Sequence, residues 1–121
     1  MKTTLASVLA LGALLLGAPA ARAAPPGRTP ALLEKGKTSF ARNCVACHGP
    51  RGEGDGVAAK ALRPRPRNLV TEPPPGGAPA VFEVLGKGVK GTGMIAYKHL
   101  SEEERWGLSY FVEGLGLGAG K

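Results

Sequence analysis

Residues 44–48 read Cys-Val-Ala-Cys-His, and this stretch decides which fold the chain can adopt. Two cysteines three positions apart lie on one side of a helical turn, where both thiols can add to the two vinyl groups of one haem. His48 follows at once, so its imidazole would point at the iron of that haem. The pattern predicts one covalent haem c attached through Cys44 and Cys47, with His48 as an axial ligand.

The same residues allow two other kinds of site. A thiol oxidoreductase also uses Cys-x-x-Cys, but it places the pair in a strand–helix–strand setting, and no such pattern is present. A structural zinc site needs four ligands, and Cys44, Cys47, His48 and His99 would supply that number. Cys47 and His48 are neighbours, however, and neighbouring residues are poorly placed to reach one ion together. Haem is therefore the favoured interpretation.

The first 23 residues have the pattern of an export signal. Lys2 gives a positive start, residues 5–17 form an apolar run of about 13 residues, and small residues follow at 18–23. A membrane span needs about 20 apolar residues, so a cleaved signal peptide is favoured over an anchor. We expect residues 1–23 to be removed after Ala23 and the protein to be periplasmic. In that compartment, free paired cysteines would otherwise oxidise to a disulfide.

The mature chain of about 98 residues is expected to form one small domain. A chain this short buries a small core, so a haem at its centre would act as a staple. Without Lys2 and Arg22 it keeps 14 basic and 9 acidic residues, an excess that favours redox partners with an acidic docking face. Nucleic acid is not an expected partner, since no basic patch is interleaved with aromatic residues. We expect a monomer without a stable membrane span.

A helical pattern begins at Ala31 and runs into the 44–48 turn, with Leu33, Gly36 and Phe40 on one face. Because glycine is unfavourable inside a helix, Gly36 suggests that another backbone passes close by.

Two further helices are predicted towards the C-terminus. A short one should cover residues 80–85 and end at Gly86. The last should begin at the capping box Ser101–Glu104 and run to about Glu113, with the glycines from Gly114 onwards ending it.

Segments rich in glycine and proline separate these helices. Arg63–Arg67 alternates arginine with proline, which forces an extended backbone. The other predicted segments are a flexible leader at 24–30, a turn-rich loop at 49–56, one or two helical turns at 57–62, a second loop at 73–79 and a flexible tail at 117–121.

The second axial ligand decides between electron transfer and the binding of small molecules. Met94 and His99 are the candidates in the mature chain. The glycines just before Met94 let the backbone approach a haem closely, whereas His99 is expected at the surface before the last helix. Met94 is therefore the predicted ligand. A thioether favours Fe(II) and raises the reduction potential.

Together these features resemble the class I c-type cytochromes, the small monohaem electron carriers of bacterial periplasms and mitochondria. The resemblance covers nearly all of residues 31–115. It rests on Gly36 and Phe40 ahead of CVACHG, the GEGDG turn, the proline-bearing loop, GTGM, and a last helix of the form RWGLSYFVEGL.

The resemblance implies an all-α cytochrome c fold, in which three to four short helices and long loops wrap around one covalent haem. The first helix should cross the last at Gly36, with Phe111 as the aromatic residue at the crossing. A carbonyl near Pro64 or Pro66 should hold His48.

For residues 31–116 the resemblance implies a one-electron carrier rather than an enzyme, working between respiratory or oxidising partners. Lysines such as Lys87, Lys90 and Lys98 would surround the exposed haem edge. Ile95 is a departure, since many bacterial relatives have proline directly after the ligand methionine. The alternative is a haem enzyme subunit, or a gas- or peroxide-reactive haem protein whose methionine ligand is labile.

Overall fold

The computed structural model describes residues 23–118. The predicted signal peptide up to residue 22 and the end of the predicted tail, 119–121, lie outside the described residues. Within 23–118 all regular structure is helical, which confirms the predicted all-α class. The elements are α1 (Pro30–Asn43), α2 (Val45–His48), a 3₁₀ turn (Ala59–Ala61), α3 (Gly77–Lys87) and α4 (Glu102–Gly116). No helix of this part of the chain combines the length and apolar character needed to cross a bilayer.

Helix α1 begins one residue before the predicted Ala31 and delivers the first cysteine. The Thr29 hydroxyl accepts a hydrogen bond from the Leu32 N–H at 3.2 Å, and Pro30 occupies the first helical position. At the other end, the Cys44 N–H donates to the Phe40 carbonyl at 2.9 Å. Cys44 therefore takes its position directly from the end of α1.

Helices α1 and α4 cross at Gly36, as the resemblance implied. A Cβ at Gly36 would overlap the carbonyl of Gly107, and one at Gly107 would lie 2.6 Å from the Leu32 carbonyl oxygen. Beside this crossing the rings of Phe40 and Phe111 lie 5.1 Å apart at a tilted angle. Two glycines thus allow the backbones to touch while an aromatic pair fills the space next to them.

Two clusters of buried side chains form the core. The main cluster joins the ends of α1, α3 and α4, and it includes the first cysteine: Phe40, Cys44, Leu69, Val81, Leu85, Leu108, Val112 and Leu115. A smaller cluster holds Leu32, Phe82 and Trp106, with the Phe82 and Trp106 rings stacked at 4.2 Å. The thiol end of α1 therefore points into the apolar centre of the molecule.

The predicted bounds of α3 were wrong at both ends. The helix begins at Gly77, not Ala80, and Pro79 lies in its first turn, where a missing N–H is tolerated. It continues through Gly86 to Lys87 and ends at Gly88, whose φ of 69° is accessible to glycine. Gly86 stays helical where the guanidinium of Arg105 passes, only 3.0 Å from where a Cβ would be.

Helix α4 starts at the predicted capping box but runs past the predicted end. The Ser101 hydroxyl accepts from the Glu104 N–H at 3.1 Å, and the Glu104 carboxylate accepts from the Ser101 N–H at 2.9 Å. Gly114 is buried inside the helix, which ends only at Gly116. Burial against the core outweighs the cost of about 1 kcal/mol that glycine has in a helix.

The residues before α1 have no regular structure and contact α4 at two points. The Tyr110 hydroxyl donates to the Pro26 carbonyl at 2.6 Å, and the Arg28 guanidinium lies 3.6 Å from the Glu113 carboxylate. These contacts bring the start of the described chain against the outer face of α4.

Candidate functional site

The two cysteines lie within one helical turn at the junction of α1 and α2. The His48 N–H donates to the Cys44 carbonyl at 2.8 Å, and the Cys47 N–H donates to the same oxygen at 3.2 Å. Cys44 is only 8% exposed, whereas Cys47 is half-buried. The short helix therefore holds both sulfurs and the histidine in one compact turn.

The electrostatics of Cys44 do not suit thiol redox chemistry. Burial, together with a smaller contribution from the neighbouring Cys47, raises the pKa of Cys44 to about 12. A catalytic Cys-x-x-Cys pair needs a thiolate with a lowered pKa. The structure therefore gives no support to the thiol oxidoreductase alternative.

His48 is oriented by a main-chain carbonyl. Its Nδ1 lies 3.1 Å from the Arg67 carbonyl oxygen, one residue beyond the expected Pro66. Burial lowers the pKa of His48, while the hydrogen bond to Arg67 opposes that shift. The neutral ring can donate from Nδ1, and its Nε2 lone pair then remains free to bind a metal.

The glycine-rich loop at 49–56 connects α2 with the arginine–proline segment. The Gly54 N–H donates to the His48 carbonyl at 2.8 Å, and the Leu69 N–H donates to the Gly52 carbonyl at 2.7 Å. A Cβ at Gly54 would lie 2.7 Å from the Pro66 carbonyl oxygen. This close approach brings the Arg67 carbonyl within reach of His48.

Met94 lies in a short turn that packs against the main core cluster, which also contains Cys44. Its N–H donates to the Thr92 hydroxyl at 3.0 Å, and its carbonyl accepts from the Val89 N–H at 2.9 Å. Gly88 is required beneath this turn, since a Cβ there would lie 2.8 Å from the Met94 carbonyl oxygen. The next residue, Ile95, is 61% exposed.

Tyr97 connects the turn that carries Met94, here called the methionine turn, to the end of α1. The sequence did not reveal this role. Its N–H donates to the Leu85 carbonyl at 2.7 Å, and its hydroxyl donates to the Asn43 carbonyl at 3.1 Å. Burial raises the pKa of Tyr97, and Cys44 and Cys47 add to the rise. The Tyr97 hydroxyl thus bonds the residue directly before Cys44.

His99 is exposed, and its ring lies 5.8 Å from the ring of Tyr97. Among residues 23–118, no three histidine, cysteine, aspartate or glutamate side chains form a group that could hold a metal ion. The four ligands of the zinc alternative are therefore not assembled in this structure.

Comparison with known proteins identifies the family. A family model described as cytochrome c matches residues 33–116. A search of curated protein sequences found no match. Among solved structures, the chain is similar to a chain of the reducing HAO-like protein complex of Kuenenia stuttgartiensis, with 30% sequence identity and a TM-score of 0.70. The alignment covers 76% of this chain and 47% of that one, so this chain spans about half the length of its structural neighbour.

The chain belongs to the cytochrome c family, which confirms the predicted resemblance. Members of this family bind covalently attached haem c, and their general function is haem-based electron transfer. The donors in this structure fit that group, because a buried thiol, a second thiol in the same turn and a carbonyl-held imidazole lie together. One haem is the count expected for a domain with a single Cys-x-x-Cys-His sequence.

Proposed function

We propose that the protein is a periplasmic one-electron carrier with one covalent haem c, attached through Cys44 and Cys47 and ligated by His48 and Met94. It moves electrons between respiratory or oxidising partners and catalyses no reaction of its own. The hydrogen bond between His48 Nδ1 and the Arg67 carbonyl carries the proposal, because it directs Nε2 towards a ligand position.

Each residue has a separate task in this carrier. Haem c supplies the one-electron couple when it is bound. Cys44 and Cys47 hold it covalently, while burial keeps His48 neutral and able to donate its ring lone pair. Met94 would supply a neutral thioether as the other ligand, so both oxidation states would keep the same ligands and little rearrangement would oppose electron transfer.

The N-terminal sequence pattern supports export, and the net charge supports docking to an acidic partner. The pattern of residues 1–23 supports secretion to the periplasm. The net positive charge supports a partner with an acidic docking face. Near Met94, Val89 and Ile95 are exposed apolar residues, and Lys90 and Lys98 are exposed cations. The carrier is proposed to work as a monomer.

The absorption spectrum of the oxidised holoprotein tests the ligand pair. The wild-type protein should show the weak far-red band of a methionine sulfur–iron bond. Met94→Ala should keep the haem attached, lose the band and lower the reduction potential, while His99→Ala should keep the band. A band that survives in Met94→Ala, or is lost in His99→Ala, would refute the assignment of Met94.

A second candidate is a haem subunit of a larger oxidoreductase with a reactive iron. The similarity to a longer chain of an HAO-like complex favours it. Rapid binding of carbon monoxide by the ferrous wild-type protein would support this candidate, as would co-purification in a stable assembly. An inert iron in a monomeric protein would support the carrier instead.

A further inference from the structure

We propose that Lys60, Arg63, Arg65 and Arg67, here called the arginine loop, form the docking surface for an acidic protein partner on the His48 side of the molecule. The inference rests on the proposed carrier function and assigns its recognition surface. It differs from the surface around Lys87, Lys90 and Lys98, here called the lysine edge, in position, in charge density and in the cations used.

The arginine loop concentrates unneutralised positive charge. Its four cations lie in a stretch, residues 56–71, that contains no aspartate or glutamate, and all four are exposed. Within residues 23–118 none of them pairs with a carboxylate. Four cations elsewhere are partly neutralised by ion pairs: Arg28, Lys35, Arg51 and Lys87. The free charge is therefore dense here, whereas one of the three predicted edge lysines, Lys87, is already paired.

The backbone of the loop is fixed before any partner arrives. The Arg63 guanidinium donates to the carbonyls of Lys60 and Leu62 at 2.9 and 2.7 Å. The Asn68 side chain accepts from the N–H groups of Val70 and Thr71, both at 3.0 Å. Prolines between the arginines restrict the chain further. A fixed loop loses less conformational entropy on binding, which favours docking over a purely solvated role.

The position of the loop connects docking to the proposed iron ligand. The Arg67 carbonyl oxygen lies 3.1 Å from His48 Nδ1, so a partner on this loop would bind the same segment that holds the proposed ligand. Guanidinium groups suit carboxylates because they can form two parallel hydrogen bonds. The chemistry of the loop thus favours an acidic protein surface as its occupant.

Binding of poly-L-glutamate to the oxidised holoprotein at low ionic strength tests the proposal. The loop variant is Lys60→Gln/Arg65→Gln, since neither side chain donates a hydrogen bond to the described residues. The matched control, Lys90→Gln/Lys98→Gln, removes the same charge from the lysine edge. The loop variant should bind about tenfold more weakly and the control about twofold more weakly, and wild-type affinity should fall with salt.

Bound polyglutamate should also lower the reduction potential of the wild-type protein, because negative charge near the ligand stabilises the oxidised form. The loop variant should show a smaller shift than the control. This readout reports that the probe sits near the iron, which affinity alone does not.

Several outcomes would overturn the proposal. Equal weakening in both variants would mean that binding follows net charge, and a greater loss in the control would place docking at the lysine edge. Binding to phosphatidylglycerol vesicles without binding to polyglutamate would indicate a lipid surface. Another such outcome is that the loop variant binds polyglutamate as the wild type does but has a lower reduction potential without it. That result would mean that the loop cations pair with the haem carboxylates. The far-red band of the same samples reports ligation separately, so loss of docking is distinguishable from failure of the carrier function.

Discussion

Gly36 is the residue at which one added methyl group should destabilise the protein most. A Cβ there would overlap the Gly107 carbonyl, and a backbone atom cannot move aside as a flexible side chain can. Gly36→Ala should therefore lower the free energy of unfolding of the holoprotein by about 1–3 kcal/mol, measured by denaturant titration. Gly27→Ala is the control, since nothing lies within 4 Å of its Cβ position, and it should not destabilise. Equal stability of the two variants would contradict the close crossing.

Glu104 gives the protein a predictable response to acid. Its pKa is lowered, chiefly by the hydrogen bond that it accepts from the Ser101 N–H. Because the folded-state pKa is depressed, this interaction stabilises the protein above the ordinary value of about 4.5 and is lost as the pH falls through the lower folded-state value.

Glu104→Gln should therefore be less stable than the wild type near neutral pH, and the difference should shrink in acid. Urea titrations at a series of pH values measure it. Glu102→Gln removes a charge from the same helical turn without touching the capping box, so its difference from wild type should vary less with pH. A constant difference for Glu104→Gln would contradict the role of the ionised cap.

At the residue scale, local chemistry was predictable and long-range partners were not. The order Cys44, Cys47, His48 is contiguous, so the sequence displays it directly. The exact carbonyl that holds His48 depends on turns across 19 residues, and it proved to be Arg67. Tyr97 was missed because its hydroxyl bonds a carbonyl 54 residues away, a pairing that no local pattern reveals.

Among the elements, the turn carrying Met94 is joined to α1 by a hydrogen bond from Tyr97. Tyr97→Phe keeps the ring and removes the hydrogen bond to the Asn43 carbonyl. A typical hydrogen bond contributes about 1 kcal/mol, so the variant should bind added imidazole in place of the proposed Met94 ligand roughly fivefold more tightly. Imidazole titration followed by loss of the far-red band measures this change.

Tyr110→Phe is the matched control for that element. It loses the same chemical group, but its hydrogen bond goes to Pro26 in the leader. Its imidazole affinity should equal that of the wild type. If both tyrosine variants bind imidazole alike, Tyr97 does not position the methionine turn.

Helix starts that carry a side-chain cap were easier to predict than the other helix boundaries. The capping box at Ser101 is a local interaction, so α4 begins where expected. Gly86 and Gly114 looked like terminators, yet both lie inside helices, where the Arg105 guanidinium passes Gly86 and Gly114 is buried. Whether glycine ends a helix depends on tertiary contacts, and these are not visible in a window of sequence.

For the whole molecule, the haem should be part of the fold rather than an addition to it. Cys44 belongs to the main core cluster, and the domain is too small to bury a large apolar core by itself. Cys44→Ser/Cys47→Ser should therefore yield haem-free protein with reduced helical circular dichroism and no sharp thermal transition. Met94→Ala keeps the covalent attachment and should still melt cooperatively. A sharp melt of the haem-free variant would show that the chain folds without the cofactor.

The hydrogen bond from His48 to the Arg67 carbonyl also allows ligand geometry and partner recognition to evolve separately. Its acceptor is a main-chain atom, so replacing the Arg67 side chain leaves that atom in place. Selection could therefore vary side chains such as Lys60 and Arg65, which donate no hydrogen bond to the described residues, to exchange one partner for another while the ligand geometry is inherited unchanged. Insertions or deletions between Gly54 and Leu69 would shift the carbonyl itself. Loop length, more than loop composition, is what a lineage of such carriers would have to preserve.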